Sequence, residues 1–320
     1  MFMKSSLFVS IKSLFRATPQ RIPPFMPTFA LRIKQRESMK ILGVGRAPQF
    51  SPNSTERDAA ILEAVKARLE QQVGCEVCLI DEREFSAGKS AGFDAIFSMA
   101  RSHEALQAEA EAERRGVFVC NSAVNRLRLN RRGLLALSRG SGIPVPDYHI
   151  ADGPLDDPPF PFPFWMKRDD RTTMQKTDVR LIRDDSHWTD AMQAVREERL
   201  AHYVLERHVA GDLIKFYGVN GTDFFHHSYS GGPEGFSKFG MERANGQPQG
   251  FPFEARRVKQ AAGRLAAAAG IDVYGGDAVV CADGSFRLID FNDWPSFSPC
   301  RDEAAEAIVQ RMVKSLDTKS

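Results

Sequence analysis

The chain has 320 residues, of which 42% are hydrophobic and 26% charged, a balance that supports real cores and excludes wholesale disorder. Its net charge of +2 gives no global case for nucleic acid. No apolar run approaches the roughly eighteen residues of a spanning helix, so neither a nucleic-acid nor a membrane partner is expected. Five cysteines form no even disulfide framework and fit a reducing, cytoplasmic setting.

Residues 1–38 hold seven basic residues and one acid, Glu37. Such a stretch resembles a targeting segment, but Met39–Val44 already reads as a first strand. The segment is therefore expected to be a disordered or spurious extension. Strands are expected at Ile41–Val44, Val77–Ile80, Ala95–Phe97 and Val117–Cys120. Between them, Ile61, Leu62, Val65, Leu69 and Val73 recur at helical spacing after a cap at Asn53 or Ser54, and Glu104–Arg115 is an Ala/Glu-rich helix. Alternating strands and helices predict a parallel α/β sheet. A helix over Asn130–Ser138 ends at Gly140-Ser141-Gly142, and Ile143-Pro144-Val145-Pro146 is an extended connector. It divides the chain into an α/β unit at 39–146 and a second unit at 147–320.

The second unit reads as α+β. Strands are expected at Phe164–Lys167, Tyr203–Arg207, Leu213–Val219 and Phe224–Tyr229, and helices at Ser186–Arg199, Glu254–Ala269 and Arg301–Leu316. The loop Gly231–Gly250 is too long to be a plain connector and is a candidate for specificity. Tyr274–Ala282 and Ser285–Phe291 flank Asp283-Gly284, a two-residue hairpin signal. With that turn, Asp277 faces Asp290 at about 5 Å between Cβ atoms, and Asn292 shares the face of Asp290. Like charges placed opposite each other call for a cation, and these oxygen donors suit Mg²⁺. The alternative is an exposed hairpin with two solvated aspartates.

Tyr274-Gly275-Gly276-Asp277, followed by Asp290-Phe291-Asn292-Asp293-Trp294-Pro295, resembles the C-terminal metal-binding hairpin of ATP-grasp enzymes. Ser296 stands where glycine is common, and Asp290 where Glu is commoner, as in the inositol polyphosphate kinases of the superfamily. Phe164-Trp165-Met166-Lys167 is similar to the strand whose lysine reaches the ATP phosphates. Lys176 occupies the position of a second lysine after a phosphate loop that here lacks glycine over 168–177. Tyr203–Val209 resembles the hinge that reads adenine, Asp212 the acid at the ribose, and Lys215 a basic residue near the transferred phosphate. The ordered set covers roughly residues 40–315 and is similar to the glutathione synthetase-like and ribosomal-protein glutamate ligase-like members.

The resemblance implies a fold in which an α/β domain precedes two subdomains that clamp a nucleotide between antiparallel sheets. It implies ATP with Mg²⁺, or Mn²⁺ as an alternative, held by Asp277, Asp290 and Asn292. Lys167, Lys176, Glu206, Arg207, His208, Val209 and Asp212 would bind ATP, and Lys215 and Lys176 would act in catalysis. The implied activity is an ATP-dependent ligase that phosphorylates an acceptor carboxylate for capture by an amine or thiol. The alternatives are a kinase acting on a polyol or inositol phosphate and a nucleotide-binding regulator without turnover. The mixed charges of Lys238, Arg243, Asp223, Glu234 and Glu242 favour the ligase over a kinase needing a dense basic pocket. The expected partner is a small-molecule acceptor, and a homodimer is compatible with the resemblance. Gly43-x-Gly45 lacks its third glycine at Pro48, and Cys75-x-x-Cys78 lacks a second pair, so neither is assigned a function.

Overall fold

The structure is a computed structural model and describes residues 39–51, 53–169, 176–230 and 247–319. The extension 1–38, Arg171 to Thr173 of the phosphate loop, and Glu234, Lys238, Glu242 and Arg243 lie outside the described residues, as does the Lys176 side chain.

The first sheet comprises β1 (Lys40–Gly45), β2 (Glu76–Asp81), β3 (Ala95–Ser98) and β4 (Phe118–Cys120), all parallel and in the order β2-β1-β3-β4. Helix α1 (Thr55–Val73) crosses from β1 to β2 and buries Ile61, Leu62, Val65 and Leu69. Gly74 stops it in the left-handed conformation at φ 73°, where a side chain would be strained. Helix α2 (His103–Arg114) is capped by the Ser102 hydroxyl. Helices α3 (Ala123–Arg128) and α4 (Arg131–Gly140) lead out of the sheet, α4 capped by Asn130. Only α3 lacked a sequence signal, being a single short turn-and-a-half with no apolar period.

The next sheet is antiparallel, with β5 (Tyr148–Ala151), β6 (Phe164–Arg168), β7 (Val179–Ile182) and β8 (Tyr203–Arg207) in the order β5-β8-β6-β7. Helix α5 (Asp185–Glu197) covers one face, with Trp188, Met192 and Val195 against Phe164, Met166, Tyr203 and Leu205. Because side chains alternate along a strand, Trp165, Lys167 and Glu206 face the other way. Strands β5 and β7 were not legible in the sequence. They lie at the two edges and bury little, so a run of apolar alternation is not required of them.

The third sheet, also antiparallel, holds β9 (Asp212–Val219), β10 (Phe225–Tyr229), β11 (Val273–Val280) and β12 (Phe286–Asp293) in the order β10-β9-β11-β12. Helix α6 (Ala255–Ala269) packs Val258, Ala262 and Leu265 against Ile214, Phe216, Ala278 and Val280. The opposite face carries Lys215, Asp277 and Val279. Helix α7 (Arg301–Lys319) turns back to α1, and Ala304, Ala305, Ile308 and Met312 share one core with Ile61, Val65 and Leu69. That core crosses the boundary expected at 146. Asn121, fully buried, strengthens the join. Its amide donates to the Val273 carbonyl at 2.7 Å and accepts from the Asp272 and Val273 amides at 2.9 and 2.7 Å. Among the described residues no helix is long and apolar enough to cross a membrane.

Candidate active site

The hairpin β11–β12 differs from its expected form in two ways that cancel. The turn is a three-residue loop, Ala282–Gly284, closed by the Cys281 amide on the Ser285 carbonyl at 2.8 Å, with Gly284 at φ 78°. Val280 therefore pairs with Phe286 and Ala278 with Leu288, one residue out of the expected register. A bulge between Asp277 and Ala278 then places one extra residue in β12, and Asp277 pairs with Asp290 as expected. The bulge decides which way the site points. In a regular strand Leu288, Asp290 and Asn292 would share one face. With the extra residue, Leu288 and Phe291 both enter the core against α6, while Asp290 and Asn292 turn to the opposite side.

Two groups from outside the ladder take up the bulge. The Leu288 amide donates to the Pro144 carbonyl at 2.8 Å, so the proline connector is a structural strap. The Ile289 carbonyl accepts from Lys167 Nζ at 2.7 Å. Lys167 Nζ also donates to Glu206 Oε2 at 2.6 Å, and both residues are buried. This lysine thus ties the second sheet to the third. Among the described residues two of its three N–H groups are used, which leaves one for a ligand.

Lys215, Asp277 and Asp290 form one cross-strand row over β9, β11 and β12. Lys215 Nζ lies 3.2 Å from Asp277 Oδ1. Asp290 accepts from Asn292 Nδ2 and from the Phe291 amide, both at 3.1 Å, and stands 3.5 Å from Arg131. Burial works to raise the Asp290 carboxyl, but Arg131 and Lys167, aided by the Asn292 and Phe291 bonds, hold it below the usual carboxylate range. It is therefore ionised at neutral pH. Arg131 opens α4, and its backbone amide donates to Asp169 at 2.6 Å, with Arg132 Nε on the same carboxylate at 2.7 Å.

Arg131, Lys167, Asp169, Glu206, Asp277, Asp290 and Asn292 wall a cleft of about 640 Å³ between the second and third sheets, with residues of the first domain completing its lining. Its apolar lining includes Trp165, Val179, Leu213, Val279, Pro146 and Leu134. Trp165 Nε1 lies 3.2 Å from His208 Nδ1. An indole N–H only donates, so His208 accepts at Nδ1 and is neutral, consistent with the downward push of burial on its pKa. Its lining from the first domain includes Arg46, Arg101, Ser51 and Ser54. Arg46 follows β1 directly and Arg101 follows β3, at the carboxyl ends of adjacent parallel strands where crossovers diverge. Ligands of open α/β sheets bind there. Glu82 joins these loops, accepting from the Ala47, Arg101 and Ser102 amides.

Of the expected site residues, Lys167, Glu206, Arg207, His208, Val209, Asp277, Asp290 and Asn292 line the cleft. The Glu206 carboxylate engages Lys167. Lys215 and Asp212 do not line the cleft. Lys215 pairs with Asp277 at 3.2 Å. Asp212, buried, spends both carboxylate oxygens on the Gln249 and Phe251 amides at 2.8 Å each and does not line the cleft. Its short side chain lies on the third sheet where the chain returns after 246, and closing that return satisfies it. Arg46, Arg101, Arg131 and Asp169 were not singled out by the sequence. The one available signal was that Arg46 and Arg101 closely follow expected parallel strands.

Among the described residues no group of three or more His, Cys, Asp or Glu is close enough to hold a metal by itself. Two carboxylates and an amide oxygen on one face still fit Mg²⁺, which takes one or two carboxylates and completes its shell with phosphate oxygens and water.

No protein-family profile and no curated protein matches the chain. Solved structures do. A RimK domain ATP-grasp protein from Sphaerobacter thermophilus aligns with TM-score 0.60 and 16% identity over 86% of this chain and 99% of its own. The D-alanine–D-alanine ligase of Bacillus anthracis, solved with ATP, aligns with TM-score 0.61 and 13% identity over 88% of this chain and 100% of its own. D-alanyl-alanine synthetase A from Vibrio cholerae aligns with TM-score 0.63 and 12% identity over 88% and 99%. The chain has the ATP-grasp fold: an α/β domain followed by two antiparallel sheets facing each other across a cleft.

Proposed function

We propose that the chain is an ATP-dependent carboxylate ligase, which phosphorylates an acceptor carboxylate and passes the acyl group to an amine or thiol with release of ADP and phosphate. The observation that carries this reading is the row Lys215, Asp277, Asp290 set on one strand face opposite the buried Lys167–Glu206 pair. Such a transfer depends on positioning and charge neutralisation more than on covalent participation of side chains.

The apolar lining of the cleft suits a purine, with Trp165 and Val279 as walls and the backbone of His208 and Val209, just past the paired residues of β8, available to its edge. Lys167 offers its remaining N–H to a phosphate oxygen. Arg131 supplies positive charge that a phosphate loop without glycine cannot supply through backbone alone. Asp277, Asp290 and Asn292 would hold Mg²⁺, which neutralises charge on the β- and γ-phosphates when bound. Lys215 lies one residue-pair from that position and offsets charge developing at the transfer. The acceptor would enter beside Arg46 and Arg101. The activities named for the structural relatives are ligations, and one of them is described in complex with ATP, which supports the same reading.

The test is incubation with ATP, Mg²⁺ and a panel of amino, hydroxy and dicarboxylic acids and polyols, with hydroxylamine as trap. Hydroxamate with ADP is the expected outcome. A stable phosphorylated polyol would make the protein a kinase, and nucleotide binding with neither product across the panel would make it a regulator.

A further inference from the structure

Asp293 follows Asn292 and, by strand alternation, points away from the face that carries Asp290 and Asn292. What it meets there belongs to the first domain. Arg101 Nη1 lies 2.8 Å from its Oδ1 and Arg126 Nε 2.6 Å from its Oδ2. Arg126 is almost fully buried and pairs also with Glu109 at 3.0 Å. The backbone is held as well: Arg101 donates to the Asp293 carbonyl at 3.0 Å, and Arg46 to the Trp294 carbonyl at 2.7 Å. Burial works to raise the Asp293 carboxyl, yet Arg101, Arg126 and Arg46 hold it down at about 2.

The next residue shows what this clamp does. Trp294 is fully buried, its ring stacked on Phe97 at 6.1 Å, and its backbone sits at φ 36°. A bulky residue in that left-handed region is unfavourable and persists only where its surroundings over-determine it. Arginines just past β1 and β3 and one in α3 contribute to those surroundings. The last residues of β12 thus take their position from the first domain as well as from their own ladder, where Asn292 and Asp293 pair with Gly275 and Tyr274 and the Trp294 amide donates to the Val273 carbonyl at 3.0 Å.

We propose that Asp293 is a positioning residue: paired with Arg101 and Arg126, it fixes the chain immediately past Asn292 and so sets where the Asn292 amide oxygen stands toward the divalent cation of a bound nucleotide. The inference rests on the nucleotide reading above. It makes the first domain part of the metal site without placing a ligand in it. An Asp293 that served only as glue between domains would weaken the whole molecule and nucleotide binding alike. A positioning residue acts on the metal-dependent part.

Two variants carry the test, Asp293→Asn and Arg101→Gln; the second leaves Arg126 on Asp293 and keeps the question answerable if the first does not fold. In the free protein, hydrogen exchange is expected to quicken at residues 291–296 and to stay as in wild type over α5 and α6. With a non-hydrolysable ATP analogue, the Mg²⁺ concentration for half-saturation is expected to rise about 10–100-fold, the usual cost of losing a partner behind a metal ligand. Affinity for the analogue without metal should be unchanged. Unaltered Mg²⁺ dependence in folded variants, exchange unchanged at 291–296, or an equal loss with and without metal would overturn the proposal and leave the nucleotide reading standing. Wild-type binding indifferent to Mg²⁺ would overturn both.

Discussion

Lys167 and Glu206 are each almost wholly removed from water, and each is the other's main compensation. Their pairing at 2.6 Å is therefore a poor source of stability but a strict constraint, because a buried charge without its partner costs about 3–5 kcal/mol. Lys167→Met should lower the unfolding free energy read from urea titration by an amount in that range, and Glu206→Leu added to it should restore most of the loss. Both proteins should fail to bind nucleotide, since the N–H left for phosphate is gone in each. A single variant as stable as wild type would mean that the pair is not desolvated. The same reasoning separates Glu206 from Asp212. Both are buried acids, but the first positions a cation in the cleft and the second ends on two backbone amides away from it.

At the scale of elements, the hairpin β11–β12 is the device that turns acids toward the cleft. Its glycines show how closely it is packed. A Cβ on Gly276 would lie 2.3 Å from the Asp290 carbonyl oxygen and 2.5 Å from the ring of Phe216. Phe216 is fully buried and has nowhere to go. Gly276→Ala should therefore force β11 and β12 apart beside Asp290, costing about 1–3 kcal/mol as overpacking does, with a matching loss of metal-dependent nucleotide binding. Gly284→Ala serves as the contrast. It strains a left-handed turn position by about 1–2 kcal/mol but lies at the hairpin tip, so binding should survive. Denaturant unfolding and nucleotide titration on both variants separate the two effects. Equal binding losses in both would remove the special role given to the strand pairing near Asp290.

For the whole molecule, the cleft exists because three sheets are locked at fixed positions. The first sheet shares its core with the last helix, so α7 belongs to it as much as α1 does. A fragment of residues 39–146 would expose the face of α1 that Ala304, Ala305, Ile308 and Met312 cover, and would strand the Asn121 amide without Val273. It is expected to show no cooperative thermal transition by circular dichroism. A sharp transition would mean that the first domain is autonomous and that α7 is an accessory. Closure of the chain on itself also brings Arg46 and Arg101 to the hairpin, which joins metal placement to the first domain.

The sequence alone determined the parts of this protein that depend on neighbours in the chain. The helices over 104–115 and 254–269, the parallel α/β order, and the spacing of Asp277, Asp290 and Asn292 all follow from local periods and turn chemistry. Even there, the face that Asp290 presents came from a bulge, because Leu288 and Phe291 had to be buried together and a regular strand cannot do that. Tertiary structure alone decided the rest. Arg46, Arg101, Arg126 and Arg131 reach the site from loops and helices with no motif, and Glu206 acquired its lysine across a sheet. A buried charge must find a counter-charge in space, and which one it finds is set by packing between distant segments.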